Sequence, residues 1–214
     1  PNSDQLKAFS SQVTEYRKLP NELITILKSL PKNTKPMDVL QMAVSSLGTF
    51  YDLEVSPEKV KTKKYDHEYF MQTSATLIGS LGSIVAAWHR IRNGHEPIAS
   101  NPDSTYAENF LHMLGAENIT PLMTRIMDAT LVLHGEHTIN ASTFTAMVTS
   151  STLANASQVM ASAIGSLSGP LHGGANEKVV SMLEKIDSKE LNRLQEFVHG
   201  VLQDYSNDER ILMW

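Results

Sequence analysis

Cysteine is missing altogether from the 214 residues. Its absence excludes disulfides, thiolate zinc sites and cysteine nucleophiles. It fits a reducing compartment, so a cytoplasmic location is expected, with an organelle matrix as the alternative if a targeting segment lies outside the chain. Basic charge is scarce as well: 18 Lys+Arg stand against 23 Asp+Glu, a formal net charge of −5. Nucleic acid is therefore not an expected partner, because phosphate binding needs a basic face. A long hydrophobic run is also lacking. The most apolar stretch, Ser74–Trp88, is too short to span a bilayer and is diluted by Ser and Gly. The first residues, PNSDQLKAF, are polar and amphipathic, without a basic stretch leading into an apolar one. No membrane association is expected. Apolar residues at 41% and charged residues at 19% match an ordinary soluble globular protein of one or two domains.

Strand-like alternation and internal repeats are absent, and the periodicity is helical almost throughout. Leu6, Phe9, Val13 and Tyr16 fall on one helical face, and Pro20–Asn21 punctuates before a short helix that stops at Pro31. Pro36 suits a first helical turn, with Asp38 beside it to favour the helix dipole. Met37, Leu40, Val44 and Leu47 then form a stripe. The charged, proline-containing segment Glu54–Lys64 reads as a surface loop. Phe70, Leu77, Leu81, Ile84, Trp88 and Ile91 mark a long helix that Asn93–Gly94 stops. Thr105 and Glu108 predict a capping box, and Thr120–Pro121 opens the helix leading to a histidine pair. The expected class is all-α.

From Thr138 to Asn176 there is no Asp, Glu, Lys or Arg, and the stretch is crowded with Ser, Thr, Ala, Asn and Gly. Small-residue helices permit close backbone approach, and lack of charge suggests burial on more than one side. A helix pair packed on its counterpart in a second subunit would satisfy both observations; a central helix in a monomer's core is the alternative. The interface is the expectation, since a chain this size has few positions for a helix hidden all round.

Two histidine segments carry the candidate chemistry: Leu133–Asn140 (LHGEHTIN) and Ser168–Glu177 (SGPLHGGANE). In the first, His134, Glu136 and His137 match neither HExxH nor HxxEH, and a zinc-deaminase reading needs the missing cysteines. No metal is expected. Glu136, placed on a presumed helix, and Glu177 read as structural. In the second, Gly165 to Gly169 ends one helix, Pro170 prevents its continuation, and Gly173–Gly174 let the chain turn into a helix starting near Asn176, which leaves His172 on a tight turn at a helix N-terminus. There the dipole disfavours imidazolium, so a neutral ring could donate a hydrogen bond to a developing oxyanion; simple capping of the helix is the competing role. His67, His89, His95, His112 and His199 stand in no comparable setting.

These segments resemble the citrate synthase family in its bacterial-type form. The resemblance rests on LHGEHTINASTF (Leu133–Phe144), GSLSGPLHGGANE (Gly165–Glu177) and the small-residue helices between them. KPMDVL (Lys35–Leu40) looks like the family's HPMDVL, with Lys35 in place of the usual histidine. The match runs from near the start to about Met182.

The resemblance implies an all-α homodimer with a large domain, here residues 1–172, and a small one starting at about 173 and running to 214, hinged close to GPLHGG. It implies condensation of acetyl-CoA with oxaloacetate to citrate and CoA, with both thioester and keto acid as substrates and no cofactor. A carboxylate removes a methyl proton, a histidine stabilises the enol, and the enol carbon attacks the ketone. His172 matches the histidine that hydrogen-bonds the thioester oxygen. His137 matches a histidine that contacts oxaloacetate, and Asn140 and Ser142 match positions that orient the catalytic histidine. The family's G-x-G-H-R segment, aspartate base and carboxylate-binding arginines would follow Asp208–Trp214, so the 214 residues alone are expected to be inactive. Two other readings remain: a 2-methylcitrate synthase using propionyl-CoA, and a non-catalytic scaffold that keeps the dimer helices.

Overall fold

The computed structural model describes residues 2–55 and 66–184. The expected surface loop Glu54–Lys64 lies mostly outside the described residues, as does the small-domain segment beyond residue 184. All regular structure among the described residues is helical. In chain order it comprises α1 (Ser3–Glu15), α2 (Asn21–Ser29), α3 (Pro36–Ser46), a 3-10 turn (Leu47–Thr49) and α4 (His67–Arg92). There follow α5 (Tyr106–Leu114), α6 (Pro121–Leu133), α7 (Ala141–Ser150), α8 (Ala156–Leu167) and α9 (Gly174–Leu183). The chain divides into two compact units, the first ending at Gly165 and the second beginning at Ser166.

Helix ends follow from local chemistry. Asn2 and Gln5 form a reciprocal capping box on α1. Pro36 occupies the first turn of α3, with Asp38 beside it. Asp66 accepts the Tyr69 N–H to start α4, and Gly94 ends it at φ +82°. Thr105 accepts the Glu108 N–H at 3.3 Å, one half of the predicted capping box. Gly115, at φ +89°, closes α5, a conformation in which a side chain would be strained.

The first unit is organised around α4, which packs against α1, α2, α3 and α5, while α6 packs on α5. Leu23 and Leu27 of α2, Val39, Ala43 and Val44 of α3, and Ile84 and Trp88 of α4 form the core with Leu47 and Leu53. Complete burial of a leucine such as Leu23 or Leu27 contributes about 1.5–3 kcal/mol. By length and composition α4 could cross a membrane, but 56% of its most apolar window is buried, as befits a core helix. The end of α1 presses onto small residues of α4: Ser83 donates to the Arg17 carbonyl at 2.7 Å and Ser80 to the Tyr16 carbonyl at 3.3 Å. Arg17 is buried with its guanidinium over the Tyr106 ring, 5.3 Å from the centroid, and donates to the Ser104 carbonyl. Burial lowers its pKa, and Tyr106 opposes that shift.

The predicted apolar faces are present but unevenly covered. Leu77, Ile84, Trp88 and Ile91 of the long stripe are buried, whereas Phe70 on the same helix is exposed. Val13 of α1 is buried and Leu6 is exposed. The charge-free helices differ from each other. α8 buries Ser157, Ala161, Ala163 and Ile164, whereas α7 buries none of its residues in the single chain. Burial on more than one side therefore does not hold for α7 within one chain.

Candidate active site

The link between α6 and α7 carries the first group of candidates. His134 ends α6: its backbone N–H and its ring Nδ1 both meet the Thr130 carbonyl, the ring nitrogen at 2.7 Å. A carbonyl partner requires the proton on Nδ1, so His134 caps a helix. Glu136 lies in the link, beyond the end of α6, and not on the helix the sequence pattern suggested. Gly135, one residue past the His134 cap, is the stop signal in HGEHT, and the helix ends where His134 and Gly135 turn back on Thr130 and Val132. Glu136 Oε1 accepts the Thr138 N–H, and Thr138 stands at φ +53°. His137 sits between them, exposed to solvent. Asn140 then caps α7 by accepting the Thr143 N–H at 2.9 Å. Ser142, in the first turn of α7, donates to the Ala163 carbonyl of α8 at 2.9 Å. His137, Asn140 and Ser142 thus occupy one short link and the helix start it feeds.

His172 belongs to the second unit. Its N–H donates to the Gly169 carbonyl at 3.0 Å, and the Gly173 N–H reaches the carbonyls of Leu167 and Gly169, both at 3.1 Å. The helix begins at Gly174, two residues before the expected start. Gly173 has an ordinary right-handed conformation (φ −71°). Glycine is needed there because a Cβ would collide with the Leu167 backbone carbonyl. The turn that puts His172 against a helix start is therefore the one the sequence predicts, held by close backbone approach.

Among the described residues, no three His, Asp or Glu side chains gather as a metal cage. A cavity of about 220 Å³ lies between α3 and α4, lined by Met37, Leu40, Ile84, Trp88 and Arg92 among others, and none of the candidate residues borders it. The left-handed Thr138 had no signal in the sequence, since β-branched residues avoid that conformation.

Fold and turns together define an all-helical protein that presents His134, His137 and His172 on the turns between its helices. The family model described as citrate synthase, C-terminal domain, matches residues 1–213. Among curated relatives, the citrate synthase of Acidithiobacillus ferridurans is 42% identical over 188 residues, 88% of this chain and 48% of that protein. The citrate synthase of Synechocystis sp. is 38% identical over 99% of this chain and 50% of its own length. The solved citrate synthase of Pyrobaculum aerophilum superposes with a TM-score of 0.75 at 32% identity, covering 85% of this chain and 45% of that one. The chain belongs to the citrate synthase family, and it spans about half the length of the curated relatives it matches.

Proposed function

We propose that this chain serves in a citrate synthase that condenses acetyl-CoA with oxaloacetate to citrate and CoA, without a cofactor. The observation that carries this reading is the His172 turn. Three backbone hydrogen bonds fix Gly169 to Gly173, so the imidazole is presented from a rigid turn at a helix start. A fixed donor of that kind suits a thioester oxygen that gains negative charge as the methyl proton leaves, because it needs no reorganisation during the reaction. His137 is the oxaloacetate contact. Asn140 and Ser142 fix the start of α7 and tie it to α8; their role in this reading is to orient the catalytic histidine.

The test uses the full-length protein and follows thiol release from acetyl-CoA in the presence and absence of oxaloacetate. Oxaloacetate-dependent release that drops by about 10²–10³ in His172→Ala is expected, the usual scale for removing one such donor. No release with both substrates present would overturn the reading.

A second reading is favoured by one observation: 2-methylcitrate synthase 2 of Corynebacterium glutamicum is 36% identical over 95% of this chain and 52% of its own length. Relative kcat/KM for acetyl- and propionyl-CoA decides between the two, since one methylene is worth about 1–3 kcal/mol in a fitted pocket.

The functional form is a homodimer. The support is the uncovered apolar surface of α6 and α7, where Val132, Leu133 and Phe144 are 71%, 80% and 61% exposed and Ile126, Met147 and Val148 are exposed as well. Side chains of this size rarely cluster in water without a partner, and a second copy presenting the same charge-free helix would cover them.

A further inference from the structure

The link between α6 and α7 is anchored at both ends, by His134 on Thr130 and by Asn140 on Thr143. Between those anchors the Glu136 carboxylate reaches over His137 to the Thr138 N–H. The ring that this bond closes contains only one complete residue, His137, so the bond restricts both of its backbone dihedrals and the direction of its Cα–Cβ bond. Thr138 pays a conformational penalty at φ +53°, where a β-branched side chain is crowded. The φ of Thr138 is a rotation beyond that N–H and outside the ring, so what the Glu136 bond fixes is the His137 backbone leading into it. No Lys, Arg or His pairs with the Glu136 carboxylate among the described residues.

We propose that Glu136 is a positioning residue whose bond to the Thr138 N–H fixes the His137 backbone and so aims His137 at the keto-acid substrate. The proposal rests on the reading of His137 as the oxaloacetate contact. Glu136 takes no part in proton transfer; its carboxylate works as a backbone acceptor.

The experiment measures kcat and both KM values of the full-length enzyme for Glu136→Ala, Glu136→Gln, His137→Ala and the double variant Glu136→Ala/His137→Ala. Glu136→Ala should raise the KM for oxaloacetate about tenfold and leave kcat and the KM for acetyl-CoA within about twofold, the pattern of lost substrate positioning. Glu136→Gln keeps an acceptor and should stay within about threefold of the parent. In the His137→Ala background, Glu136→Ala should add less than about threefold to that KM, because no imidazole remains to be aimed. Hydrogen exchange at the Thr138 amide should quicken in Glu136→Ala. A collapse of kcat in Glu136→Gln would assign the carboxylate to proton chemistry and overturn the proposal. Equal Glu136→Ala penalties in the parent and in the His137→Ala background would overturn the proposal. If His137→Ala leaves the oxaloacetate KM unchanged, the His137 reading falls and the proposal with it. If His137→Ala raises that KM while Glu136→Ala does not, only the proposal falls.

Discussion

Ser142 on α7 donates its hydroxyl to the carbonyl of Ala163 on α8 at 2.9 Å. The bond joins the two charge-free helices, and Thr149 and Ser162, with oxygens 2.8 Å apart, repeat the pattern further along. In helices without charges, hydroxyls provide the polar ties. Replacing Ser142 by Ala should lower the unfolding free energy by about 1 kcal/mol, the usual net value of one such bond. Urea titration of the variant checks it; an unchanged midpoint would mean that the bond contributes nothing in solution.

Gly79 is buried in α4 where the end of α1 crosses it, and a Cβ there would stand 2.5 Å from the Val13 carbonyl oxygen and 2.9 Å from the Tyr16 Cβ. Helix propensity alone favours Gly79→Ala by about 1 kcal/mol. Overpacking against backbone costs about 1–3 kcal/mol and cannot be relieved by rotating a side chain. The variant should therefore melt at a lower temperature than the parent, and a higher melting temperature would show that α1 can move away.

Alkaline pH should weaken the fold through its half-buried tyrosines. Burial raises the pKa of Tyr106 above the ordinary value of 10.0, with the Arg17 guanidinium pulling it back. Tyr51 and Tyr69 are raised as well, each chiefly by burial. An unfolded chain releases these protons at the ordinary value, whereas the folded chain keeps them. Their contribution is therefore complete below pH 10.0 and is lost as the pH rises through the folded-state pKa values. Denaturation midpoints recorded from neutral pH upward should fall in the alkaline range, and Tyr106→Phe should fall less steeply.

Phe144→Glu places a charge on the exposed apolar face of α7. The proposed dimer should dissociate, because an unpaired carboxylate buried at an interface is strongly unfavourable. Sedimentation should show the parent as a dimer and the variant as a monomer with unchanged helical content. A dimeric variant would move the interface elsewhere.

Helix ends were legible wherever one residue type decides them: Pro36 opening α3, Gly94 stopping α4 at positive φ, and Pro170 ahead of the His172 turn. Periodicity identified apolar faces without showing which are covered. Leu6 and Phe70 belong to predicted stripes and are exposed, because covering depends on what packs there from elsewhere in the chain or beyond it. In the candidate site, the His172 turn could be read from Pro and Gly spacing. The lock around His137 could not, since it joins a residue presumed helical, Glu136, to a threonine in a conformation that threonine avoids. Such conflicts between local preference and final structure concentrate at functional sites.

The packing of Gly173 against the Leu167 carbonyl also has an evolutionary consequence. Every missense change in a glycine codon adds at least a Cβ, and this one would meet a backbone atom that no rotamer change can displace. The position thus has no neighbouring sequence that preserves the turn. A lineage under selection for the His172 geometry can alter the surrounding side chains but not this glycine, so mutational scanning of the full-length protein should find residue 173 intolerant of even alanine.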